Sequence, residues 1–183
     1  MGGVQNKHLI LLLTSKNTFM ANNTIDLQQL YTKIALSAWD TYINRTDKLF
    51  ASLSDEQLQA ATAPGRNSGV YLLGHLTAVH DALFPLFGLG EMMFPQLQDP
   101  FLNNPEKSDF AKPAVSELRT YWVEVNKKLS QYFNQFSPEE WLKRHNAVSE
   151  TDFEKEPHRN RLNVLVNRTN HLSYHFGQLI YLK

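Results

Sequence analysis

From Leu27 to Phe50, apolar residues recur every three or four positions: Leu27, Leu30, Ile34, Ala38, Trp39, Tyr42, Ile43, Leu49 and Phe50. A helix turns once in about 3.6 residues, so this spacing gathers them on one face and predicts a long helix from about Thr24 to Ser52. Ser54 followed by Asp55, Glu56 and Gln57 reads as a capped start of a short helix that stops near Pro64 and Gly65. Ser68 caps a second long helix carrying Leu72, His75, Leu76, Val79, Leu83 and Leu86, which Gly88 and Gly90 end. A third runs through Val115, Leu118, Tyr121, Trp122, Val125, Leu129, Tyr132 and Phe133, with Pro113 suited to its first turn. Ser137-Pro138-Glu139-Glu140 opens another short helix, and a fourth long helix spans about Arg159 to Leu182.

No segment alternates strictly between apolar and polar residues, so nothing argues for a sheet. Four amphipathic helices with short extra ones predict an all-α four-helix bundle. The connection between the second and third long helices is roughly twenty residues long and holds Pro95, Pro100 and Pro105. A link of that length permits a crossover in place of simple up-and-down order. The domain is expected over residues 20–183, beginning at Met20. Residues 1–19 read as a disordered tail or an over-extended start, because the apolar run His8–Leu13 is too short to span a bilayer.

Composition removes several function classes. Eighteen basic and eighteen acidic residues cancel, and no basic tract occurs, so neither nucleic acid nor an anionic membrane is an expected partner. The absence of cysteine excludes disulfides, thiolate metal sites and thiol nucleophiles, and is compatible with a reducing, cytoplasmic setting. There is no HExxH, no Glu-x-x-His pair, no nucleophile elbow and no phosphate loop.

What the chain does carry is histidine in a telling position. His171 and His175 lie four residues apart in HLSYHFGQLIYL. Four residues rotate a helix by only about 40° beyond a full turn, so both imidazoles share a face and can hold one metal ion. They belong to a polar stripe, Asn167, His171, Tyr174, His175 and Gln178, beside a packing seam of Leu165, Leu172 and Leu179. A third imidazole from the second long helix would leave one tetrahedral corner open, the coordination of a catalytic metal. Two residues compete for that role, His75 and His80. They are rotated about 140° apart, so they cannot both face one ion, and periodicity does not choose between them. His145 and His158 fall in the connection before the last helix.

Gly74-His75-Leu76 early in the second long helix, the terminal NHLSYHFGQL, and the order of four long helices between them are features by which the chain resembles the DinB-like superfamily, which includes the YfiT-type proteins. The likeness spans Asn22 to Lys183. The resemblance implies a metal site on His75, His171 and His175, and so places His75 ahead of His80. It further implies a divalent metal ion, nickel or zinc most often, and frequently a homodimer. Relatives of this kind include thiol-dependent S-transferases, hydrolases and isomerases.

Two functions follow as expectations. The first is a metal-dependent enzyme, a hydrolase or low-molecular-weight-thiol S-transferase acting on a small molecule. Gln178 or Tyr174 would orient the bound group, Asp81 or Glu154 would serve as base, and Asn103, Asn104 and the segment 154–161 would wall the pocket. The second is a non-catalytic helical binding or stress-response module. The depth of the histidines along their helices adds a geometric expectation: they meet only if the second and fourth long helices run antiparallel.

Overall fold

A computed structural model describes residues 26–183. The tail expected over residues 1–19 lies outside the described residues, as does Thr24. Four long helices form the body: α1 (Leu27–Ser52), α3 (Gly69–Asp81), α5 (Val115–Phe133) and α8 (Arg161–Leu179). Between them lie α2 (Asp55–Gln59), α4 (Leu83–Phe87), α6 (Pro138–Trp141) and α7 (Glu150–Lys155), and a 3-10 turn, Ile180–Leu182, follows α8. Among the described residues there is no strand, only two isolated bridges, Ala61 with Ser68 and Arg144 with Asn160. The fold is all-α, as the periodicity predicts.

Ring contacts and buried clusters give the helix directions. Trp39 on α1 meets His80 near the end of α3, while Phe50 meets Trp122 and Trp39 meets Phe133 on α5. Helix α1 is therefore antiparallel to α5. Phe84, just beyond α3, packs on Tyr132 late in α5, whereas His80 packs on Trp122 earlier, so α3 and α5 run the same way. Ala35 shares a cluster with Leu165, and Tyr42 meets Phe176, making α1 and α8 parallel. The start of α3 lies at the end of α8, where Gly69 abuts Leu182. The order is thus up, down, down, up. Helices α3 and α8 are antiparallel, and the long connection between α3 and α5 is the crossover that permits it.

That connection is built into the core rather than draped over it. It contains a 3-10 turn, Pro95–Leu97, and a π turn, Asp99–Asn103, whose Leu97 and Phe101 are fully buried. Asp81 secures its first part: the carboxylate accepts the backbone N–H groups of Met93 and Phe94, each at 2.8 Å. Glu106 secures its later part, accepting from the Ser68 amide and from the Ser68 hydroxyl that caps α3.

Several boundaries differ from those the pattern predicts. The second long helix does not run unbroken to Leu86. It stops at Asp81 and resumes at Leu83, because Pro85 has no N–H to give the Asp81 carbonyl and its ring crowds that carbonyl. Gly88, at φ +71°, then closes α4 in the left-handed conformation that glycine adopts without steric cost. Pro113 precedes the third long helix instead of entering its first turn; Glu117 caps that helix by accepting the Ala114 N–H at 2.9 Å. Helix α7 falls in a stretch too polar to show a period, and its start is fixed by Ser149, which accepts the Asp152 N–H. The caps expected at Ser54 and Ser68 are formed, and Ser137 caps the short helix that its segment was expected to open. Gly69–Phe87 is long and apolar enough to cross a membrane by composition, but most of it is buried inside the bundle, as a core helix would be.

Candidate metal centre

Helix α8 packs its Leu165, Leu172 and Leu179 seam fully into the core. That fixes its rotation, and the adjoining His171 and His175 are then only half-buried, turned toward α3. On α3 the glycine before His75 is what admits the third partner. A Cβ at Gly74 would collide with the Phe101 ring. With hydrogen there instead, Phe101 lies against α3 and its carbonyl oxygen comes within 2.8 Å of His75 Nδ1.

The three imidazoles converge. His75 Nε2 is 3.1 Å from His171 Nε2, and His175 Nε2 is 3.0 Å from the same atom. All three ligand atoms lie within 4.8 Å of one another, so the cluster can hold a metal ion. Ligand bonds of about 2.1 Å put neighbouring nitrogens roughly 3.0 Å apart at right angles and roughly 3.4 Å apart in a tetrahedron. The spacing fits a metal.

Proton positions make the same point. A carbonyl oxygen only accepts, so His75 carries its proton on Nδ1 and presents a bare Nε2 to the cluster. His175 Nδ1 donates to Gln178 Oε1 at 2.7 Å, while Gln178 Nε2 donates to the Tyr174 hydroxyl at 3.2 Å, so His175 Nε2 is bare as well. His171 has at most one proton to place between two acceptors. Its Nδ1 is buried without a partner. A cation resolves all three lone pairs, and outer hydrogen bonds of this kind hold ligand imidazoles in the required tautomer. Burial also keeps the rings neutral. It pushes the His171 pKa down to about 4, aided by the nearby histidines and Arg168, and it lowers His75 and His175 in the same direction.

His80 lies elsewhere. It is fully buried between the rings of Trp39 and Trp122, and its Nδ1 donates to Asn126 Oδ1 at 2.8 Å. Burial pushes its pKa down to about 3. It is a core residue.

The supporting roles need correction. Asp81 is fully buried with both oxygens engaged by the Met93 and Phe94 amides, so it anchors the crossover and is not free to act as a base. Glu154 is exposed and lines a cavity of about 460 Å³ with Lys143, Arg144, Phe153 and Arg161, none of them a member of the histidine cluster. Asn103 bonds to Asp99, while Asn104 reaches the site indirectly. Its carbonyl accepts the Tyr71 hydroxyl at 2.9 Å, and the Tyr71 ring stacks on His75. Gln178 and Tyr174, expected to orient a bound group, lie beside the cluster: Gln178 accepts from His175 Nδ1 and Tyr174 accepts from Gln178. His158 is exposed and His145 half-buried in the connection before α8. A cavity of about 570 Å³, open to solvent, runs between α1 and α5, and no histidine lines it.

Three residues of the surroundings are absent from the expected site, though the spacing of the last could have found it. Phe101 acts through its backbone, which a side-chain pattern does not reveal. Tyr71 precedes His75 by one turn. Arg168 precedes His171 by three residues and His175 by seven, a spacing that places it on the histidine face of α8.

An all-α bundle with a three-histidine cluster between antiparallel helices defines a class of helical proteins with a potential metal centre. A family model described as DinB superfamily matches residues 38–179, and the chain belongs to the DinB superfamily. No curated protein matches it.

Proposed function

We propose that the protein is a metal-dependent enzyme whose divalent ion, nickel or zinc, is held by His75, His171 and His175, and whose reaction is hydrolysis or transfer of a low-molecular-weight thiol. The observation that carries this reading is the convergence of three Nε2 atoms, two of them held bare by hydrogen bonds on the far side of the ring. A divalent ion supplies Lewis acidity there, which makes a nucleophile of water or a thiol near neutral pH. The chain's part is positioning. Phe101 and Gln178 fix two of the rings, and the Tyr71 face packs against His75. Tyr174 is largely exposed, and its hydroxyl keeps a proton to donate after accepting from Gln178. Only three protein ligands are offered, which leaves room for a reacting group. A balanced charge favours a small molecule as the partner over nucleic acid or a membrane surface.

The test is a paired screen of zinc-loaded and metal-stripped protein. One arm offers activated esters; the other offers a small thiol with an aryl chloride electrophile. Turnover that needs metal and disappears in His175→Ala supports the proposal. No turnover in either arm by fully loaded protein would favour the non-catalytic binding module.

A further inference from the structure

Arg168 stands on α8 about 4.5 Å before His171 and about 10.5 Å before His175 along the helix axis, within roughly 60° of the first and 20° of the second around it. It is half-buried, and its Nε is shielded from solvent with no hydrogen-bond partner. Among the described residues, the ion pairs are Arg119 with Asp55, Arg144 with Glu150 and Arg159 with Glu156; none involves Arg168. Residues 1–25 contain no aspartate or glutamate that could serve it. Burial alone lowers its pKa, with no carboxylate opposing the shift, and its charge is felt at His75 and His171.

A half-buried guanidinium without a counter-ion is costly, since no ion pair among the described residues offsets its desolvation. The metal reading sharpens the imbalance. Three neutral imidazoles contribute no negative charge, so a divalent ion beside Arg168 makes a centre of about three positive charges. The two carboxylates that secure the crossover are engaged elsewhere, Asp81 by two backbone amides and Glu106 by Ser68. A guanidinium fork matches a carboxylate in geometry as well as charge.

We propose that Arg168 is the anion-recognition residue of this centre and that the small molecule it serves carries a carboxylate, held by the guanidinium while its reacting group faces the three histidines. The inference rests on the metal reading of the site and adds the substrate class to it.

The experiment uses cobalt-loaded, untagged protein and two thiols that differ only in charge, 3-mercaptopropionate and its neutral amide. Cobalt absorption first reports that the centre is filled, then follows each thiol as it binds. The wild type should bind the carboxylate about 10- to 100-fold more tightly than the amide, the range of a charge-assisted pair. Arg168→Gln should reduce that preference to within about two-fold while the centre still fills with one cobalt per chain, since no ligand is removed, and Arg168→Lys should retain part of it. A preference that survives Arg168→Gln, or equal affinities in the wild type, would overturn the role given to Arg168 and leave the metal centre standing. Failure of the wild type to bind cobalt would remove the metal reading and this inference together. Should Arg168→Gln not fold, the wild-type comparison and the lysine variant still decide the matter.

Discussion

The Phe101 carbonyl oxygen lies 2.8 Å from His75 Nδ1, across a gap that exists because residue 74 has no side chain. One glycine thereby sets both the packing of the crossover on α3 and the tautomer of a candidate ligand. The backbone of the connection becomes part of the site.

Gly74→Ala should therefore do two things at once. The added methyl must displace the buried Phe101 ring, an overpacking cost of about 1–3 kcal/mol that a thermal or urea melt will read. Displacing Phe101 also withdraws its carbonyl from His75, so metal affinity should fall beyond what the loss of stability explains. A variant with unchanged metal affinity would show that the Phe101 contact does not set the ring.

Gln178→Leu should leave the fold intact, since residue 178 sits on the half-exposed side of α8. It removes the acceptor that holds His175 in its Nδ1–H tautomer. Loss of such an outer partner weakens metal binding about 10- to 100-fold. Competition with a chromophoric chelator measures it, and a Gln178→Glu variant, which keeps the acceptor, should recover most of the affinity.

The same residues show how much of the molecule is legible in its sequence. The helices are legible because their apolar residues keep helical spacing, and the caps at Ser54, Ser68 and Ser137 because a side-chain oxygen at that position has one local task. His171 and His175 are legible because four residues is a fixed geometric relation. The choice of His75 over His80 is legible in the resemblance at Gly74-His75-Leu76 but not in the spacing: both sit among apolar neighbours on one helix, and the tertiary arrangement sends one toward α8 and the other between Trp39 and Trp122. Asp81 and Glu154 invite a catalytic reading as carboxylates near the right segments. What they do depends on long-range partners, two backbone amides for Asp81 and a separate cavity for Glu154. Phe101 is invisible to pattern because it works through its main chain.

His80 predicts a pH dependence of stability. Its folded pKa is pushed down to about 3 by burial, against roughly 6.5 in an unfolded chain. The unfolded state therefore takes up the proton first as pH falls. The stability is fully present above about pH 6.5 and is lost progressively from there toward the folded value, by at most about 1.4 kcal/mol per pH unit. His75, His171 and His175 are shifted the same way and add to the slope in metal-free protein. Urea unfolding of the metal-free chain at successive pH values checks this. His80→Gln, which can still donate to Asn126, should give a shallower slope than the wild type; an identical slope would mean that His80 does not stay neutral in the fold.

The most direct test of the account is the metal content of protein purified without a histidine tag, measured for the wild type and for four single variants. One divalent ion per chain is predicted for the wild type and for His80→Gln, and near-complete loss for His75→Ala, His171→Ala and His175→Ala. A wild-type chain that takes up no metal at neutral pH, or a His75→Ala variant that keeps it while His80→Gln loses it, would contradict the assignment of the centre.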